Sequence, residues 1–194
     1  MITRLSVIAT AFLAAGLGSA VAETTSYDFS AAAALNENTP ASISIATFSS
    51  PSDPAAYTFG SNGALYSTLG NDVLAADGTT AAQLNIAFSS PQDSVSFGFA
   101  LIDFLDGNGG DTLDVAINNG APEVFATTIP GTDYFPQGSV TVTDLAGISA
   151  IEITSVNPEN TIVLADLTSV PEPASLTLLG VGLAGLAAAR RRRA

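Results

Sequence analysis

The chain has 194 residues, with 18 acids against five arginines, no lysine, histidine or cysteine, and a formal net charge of −13. These counts exclude nucleophilic triads and Cys/His zinc centres, whose side chains are missing, and they exclude disulfide cross-links. All the acids lie between Glu23 and Glu172 and all the arginines lie outside that span, at Arg4 and Arg190 to Arg193; a body without cations cannot neutralise phosphates, so nucleic acid is excluded as a partner.

Met1 to Ala22 reads as a signal peptide. Arg4 supplies the positive start, Leu5 to Leu17 is mainly apolar, and Ala20-Val21-Ala22 fits the small-x-small rule for signal peptidase, with cleavage before Glu23. Residues 23–169 then form one body, of a size normal for a single core.

Period-two alternation runs through this body. Ala41 to Ser49, Gln83 to Phe88, Asp93 to Phe99 and Thr112 to Ile117 each place apolar residues on one face, and the pairs Val140/Val142 and Ile151/Ile153 repeat the pattern. Turn signals at Ser52-Asp53-Pro54, Asn62-Gly63, Asp77-Gly78, Asn119-Gly120, Pro130-Gly131 and Asn157-Pro158 separate the runs. About ten short strands without an amphipathic helix predict an all-β fold, a two-sheet antiparallel sandwich of jelly-roll type. Its last strand, from Ile162 to Ser169, leads into the C-terminal segment with almost no linker.

The densest acidic cluster is Asp103 to Asp114, DFLDGNGGDTLD. Its first reading is a solvated hairpin loop. Its second is a calcium site, in which Asp103, Asp106, Asp111 and Asp114 give carboxylate oxygens and the glycine-rich turn gives carbonyls. Residues 107–113 echo a single calcium-binding nonapeptide repeat, with Asp106 in place of the first glycine, but such repeats work by stacking and one copy is present. Asp111 and Asp114 can converge only if Asp111 still belongs to the turn, because in a strand they would face opposite ways. No other cofactor is indicated. Among the aromatic residues, Tyr134-Phe135 before Pro136 lies in a turn-like segment and is the best candidate for stacking against a sugar ring.

Residues 170–194 close the chain in three parts. Val170-Pro171-Glu172-Pro173 is rigid and polar, Leu176 to Ala189 is apolar with one threonine, and Arg190-Arg191-Arg192-Arg193 is an unbroken basic run. An apolar helix backed by arginines reads as a single transmembrane stop with the arginines on the cytoplasmic side. Residues 176–189 would cover about 21 Å as a helix against a hydrocarbon core of ~30 Å. Starting the helix at Ala174 and letting the arginines snorkel narrows the gap.

In order and spacing, this tail resembles the PEP-CTERM sorting domain of exported proteins in Gram-negative bacteria. The resemblance implies recognition by an exosortase, a membrane-embedded cysteine transpeptidase, and cleavage near Pro171-Glu172-Pro173. It also implies a transient inner-membrane anchor, followed by the cell surface or the exterior. Less specifically, Phe88 to Phe99, Asp111-Thr112-Leu113 and Ala165-Asp166-Leu167-Thr168 resemble the sandwich ectodomains of such proteins. The expected function is that of a non-enzymatic envelope or matrix protein, with exopolysaccharide or biofilm as its setting. The alternatives are a carbohydrate-binding module of jelly-roll type and a glycoside hydrolase working with two carboxylates.

Overall fold

The structure, a computed structural model, describes residues 22–29, 41–50, 57–61, 65–70, 72–76, 83–102, 111–157 and 161–172, with further helical positions between 182 and 191. Thr24–Pro171 forms one compact unit, and Met1–Glu23 with Glu172–Ala194 falls in a second. The described residues of the first unit form ten strands: β1 (Thr25–Ser26), β2 (Ala41–Ile43), β3 (Ala46–Ser49), β4 (Tyr57–Ser61), β5 (Asp72–Ala76), β6 (Gln83–Ile102), β7 (Thr112–Ile117), β8 (Glu123–Ala126), β9 (Gln137–Ser155) and β10 (Thr161–Pro171). Every pairing between them is antiparallel.

Two long strands carry the architecture. The first half of β6 lies between β3 and β9, and its second half lies between β10 and β9. The register jumps from Ala87↔Ala150 to Gln92↔Ile148 to Ser94↔Thr143, which leaves Ser89-Ser90-Pro91 and Asp144 to Gly147 as bulges where both strands turn. A straight strand of this length would run roughly 65 Å at ~3.3 Å per residue. Yet Leu84, Ile86 and Phe88 of the first half share one buried cluster with Val95, Phe97, Phe99 and Leu101 of the second. The hydrogen-bonded sheet therefore folds over on itself. One layer is β2-β3-β6-β9-β7-β8, the other is β4-β5-β10-β6-β9, and the core lies between them. This is the predicted antiparallel sandwich.

The bend is fixed by Asn118. With Asn119 it forms the β7–β8 turn, both at positive φ (52° and 60°), and Gly120 N–H donates to Ile117 O at 2.7 Å. Positive φ at both central positions is the turn that matches strand twist. The Asn118 side chain accepts from the Ser149 and Ala150 amides (2.9 and 3.1 Å) and donates to Gly147 O at 2.9 Å. It thus ties the β9 bulge to the end of β7.

The alternation over Ala41 to Ser49 predicts one strand, but the chain makes a hairpin there. Ile43 pairs with Ala46 around Ser44, which sits at φ 55°, so β2 and β3 are two strands. The apolar positions change phase at this turn, from Ala41, Ile43 and Ile45 to Ala46 and Phe48, a shift that a single alternating strand would not show.

Candidate functional site

The outer face of the β4-β5-β10-β6-β9 layer differs in composition from the face that meets the core. Strand alternation sends Val95, Phe97 and Phe99 inward together with Val140 and Val142. The same alternation sends Ser96, Gly98, Ser139 and Thr141 outward, where Ser96 sits opposite Thr141 and Gly98 opposite Ser139. The outward residues are small, so the floor is low. The Ser96 and Thr141 hydroxyls meet at 3.0 Å.

Walls rise on two sides of this floor. At one end Tyr66, Leu69 and Val73 cover Ala100, Val163 and Ala165, and Phe135 packs against this small second cluster. The Tyr66 and Phe135 rings lie 5.8 Å apart and tilted. Leu69 reaches over the sheet so closely that a Cβ on Gly98 would sit 2.8 Å from Leu69 Cδ2. Polar bonds hold the 65–70 segment to the 131–137 loop. Asp133 Oδ2 accepts from the Ser67 amide at 2.9 Å and the Ser67 hydroxyl at 2.6 Å, and also from Gln137 Nε2. Gln137 Oε1 accepts from the Thr68 amide at 3.0 Å and the Thr68 hydroxyl at 2.6 Å. These bonds to its ionised form hold the Asp133 carboxyl below the usual carboxylate range. Burial pushes the Tyr66 phenol up, so it stays neutral.

The result is an open groove of about 520 Å³, with Thr68, Ser96, Gly98, Gln137, Ser139 and Thr141 along it. Asp166 contributes the one carboxylate among its lining residues. It stands at the β10 bulge with φ 53°, where its Oδ2 accepts from the Gly70 amide at 2.8 Å. The groove thus presents hydroxyl groups and one carboxylate over a floor of small residues, while the Gln137 amide is buried and bonded to Thr68 and Asp133; the arrangement suits a ligand with many hydroxyls.

The sequence-expected residues separate into groups. Tyr134 is 85% exposed on the loop between two groove residues, Pro130 and Gln137. Phe135, expected to stack with it, instead packs half-buried on Tyr66, because the apolar end of the sheet needs cover. Asp103 and Asp106 lie outside the described residues. Asp111 precedes β7, and its carbonyl accepts from the Thr127 hydroxyl at 2.6 Å. Asp114 lies within β7, opposite Val124 and Thr154. Among the described residues no three carboxylates gather as a metal site. Thr68, Gln137, Ser139, Thr141 and Asp166 are not among the residues the sequence marks for a site. The signal for Ser139 and Thr141 is the run of small hydroxyl residues at alternate positions of Asp93 to Phe99 and Gly138 to Thr143, which acquires meaning only once the two runs pair.

In the tail, Val170 and Pro171 are the last residues of β10, opposite Ser94 and Gln92. Glu172 follows outside any strand. Ala22 is described and half-buried, whereas Ala20, Pro173, Arg192 and Arg193 lie outside the described residues. Gly182, Leu183, Gly185, Ala187, Arg190 and Arg191 are helical and exposed. Among the described residues no helix is long and apolar enough to cross a membrane.

Comparison with curated proteins gives no match. Solved structures similar to this chain include the K2 cleaved adhesin domain of Lys-gingipain, at 15% identity and a TM-score of 0.46, over 76% of this chain and 99% of that one. A family 35 carbohydrate-binding module from Clostridium thermocellum is similar at 10% identity and a TM-score of 0.43, over 78% and 100%. A family 29 module complexed with mannohexaose is similar at 12% identity and a TM-score of 0.40, over 76% and 91%. Residues 169–193 match the family described as the PEP-CTERM protein-sorting motif, the segment that contains Val170-Pro171-Glu172-Pro173 and the arginine run. The chain therefore carries a PEP-CTERM sorting motif, which follows an antiparallel β-sandwich and marks an exported exosortase substrate.

Proposed function

We propose that the sandwich is a non-catalytic glycan-binding module, delivered by its sorting tail to the cell envelope or the surrounding matrix, where it holds polysaccharide. The observation that carries this reading is the groove over Ser96, Gly98, Ser139 and Thr141, with Tyr134 exposed on the adjoining loop. Its volume falls in the range of small-ligand sites, and its polar side chains are mainly hydroxyls, which exchange hydrogen bonds with sugar hydroxyls. Charge narrows the class further. Seventeen of the 18 acids, all but Glu172, lie between Glu23 and Pro171, and no arginine does. Anionic glycans would be repelled, so the ligand is a neutral or amino-sugar chain. Hydrolysis through two carboxylates has less support, because Asp166 is the single acid among the groove residues.

The test is retention on a panel of neutral, amino-sugar and uronic-acid polysaccharides. Neutral or amino-sugar chains should retain the protein and uronic-acid chains should not. Tyr134→Ala should weaken retention about tenfold, or ~1.4 kcal/mol, with no change in melting temperature. Ser139→Tyr should block the groove and abolish retention. Undiminished binding by both variants would remove the groove from the reading.

A further inference from the structure

Both ends of the sandwich lie on paired strands. β1 starts three residues after Ala22 and pairs Thr25↔Ser169 and Ser26↔Thr168. Tyr27 extends the contact: its amide donates to Leu167 O at 3.1 Å, and its buried hydroxyl meets Ser169 Oγ at 2.9 Å. Beyond Ser169, β10 continues along β6 through Val170↔Ser94 and Pro171↔Gln92. The register slips at this step, which places an irregularity where proline has no N–H to give a ladder. Two residues of the Val-Pro-Glu-Pro element are thus sheet residues of the folded body.

A cysteine transpeptidase must take the substrate backbone into its own cleft. Its sulfur attacks the carbonyl carbon before the cut, the C–N bond breaks, and the new α-amine of the tail takes up a proton. The thioester then passes the body to an acceptor bearing an O–H or N–H. Backbone already in a ladder cannot enter that cleft unless β10 peels from β6 and the Tyr27–Ser169 contact opens. Building on the exosortase reading, we propose that the folded sandwich sets the position of the sorting cut. The scissile bond lies C-terminal to Pro171, and Val170 and Pro171 remain with the body, paired to β6.

The experiment is mass spectrometry of the C-terminus of the released protein, made as the full chain in a host with its exosortase and in the same host without it. We expect release to depend on the enzyme and the mature chain to end at Pro171 or later. A chain that ends at Val170 or earlier, with release still enzyme-dependent, overturns this placement and leaves the exosortase reading intact. Release that is equal in both hosts overturns both. A rate comparison provides a second arm. Deleting Val170 draws the motif one residue into the ladder and should slow release at least tenfold, whereas inserting Gly-Ser before Val170 should leave the parent rate. Equal rates for all three chains would mean that the sheet does not limit access.

Discussion

Gln92 sits where β6 turns from one layer to the other, with no surface exposed to solvent. Its Nε2 donates to Ser90 O at 2.6 Å and approaches Ser90 Oγ at 3.3 Å, while its buried Oε1 has no partner among the described residues. An unsatisfied buried acceptor costs about 1–3 kcal/mol, comparable to or larger than the net worth of the bonds on the other side of the amide. Gln92→Met keeps the volume and removes the orphan oxygen. Its expected stability in chemical denaturation equals or exceeds the parent's. A loss above about 2 kcal/mol would show that Oε1 finds a buried water in solution. Gly138 at the start of β9 is constrained from the opposite direction. It lies on the core face, where a Cβ would stand 2.7 Å from the Phe99 ring, so the close approach of β9 to that ring requires glycine. Neither role is visible in the sequence, because the Gly138 contact depends on Phe99, far away in the chain, and the burial of Gln92 depends on the pairing of β6 with β9 and β10.

Among the elements, the 65–70 segment and the 131–137 loop form a latch over one end of the groove. Their bonds join residues 66 and 69 positions apart, and they converge on one carboxylate and one amide side chain. Asp133 titrates below its usual range because the Ser67 hydroxyl and amide and the Gln137 amide bond its ionised form. A depressed carboxylate pKa adds stability that is present above the unfolded value of 3.8 and is lost as pH falls through the folded value. The melting temperature of Asp133→Asn should therefore lie below the parent's at neutral pH, and the gap should close as pH drops below about 4. A gap that persists unchanged in acid would assign the loss to packing and not to charge. The sequence displayed Tyr134 and the turn at Pro130-Gly131, and it displayed the alternation in both halves of β6 and in parts of β9. It did not display the latch, because hydrogen bonds between distant loops leave no periodic signal. It also concealed the continuity of β6, because apolar alternation marks which face is buried and not where the chain turns.

For the whole molecule, charge is the dominant feature. The body from Glu23 to Pro171 holds seventeen acids and no Lys, Arg or His, so at neutral pH no side chain of opposite sign offsets their repulsion. Folding gathers these charges into a small volume, and self-repulsion acts against the compact state. Dissolved ions shorten the range of that repulsion to about 10 Å at 0.1 M and about 3 Å at 1 M. The released protein should therefore melt higher as sodium chloride rises from about 10 mM to 500 mM. Each kcal/mol recovered appears as roughly 2–4 °C for a chain of this length. The same measurement tests the calcium proposal for Asp103, Asp106, Asp111 and Asp114. That proposal requires calcium to exceed magnesium at matched ionic strength, by about 2.7 kcal/mol at a hundredfold excess over Kd, and requires Asp111→Asn to remove the excess. Screening alone requires the two divalent ions to act alike. A melting temperature that stays flat or falls between low and high salt would mean that the acids are spaced widely enough for water to shield them unaided, and charge would then have no part in the stability of the sandwich.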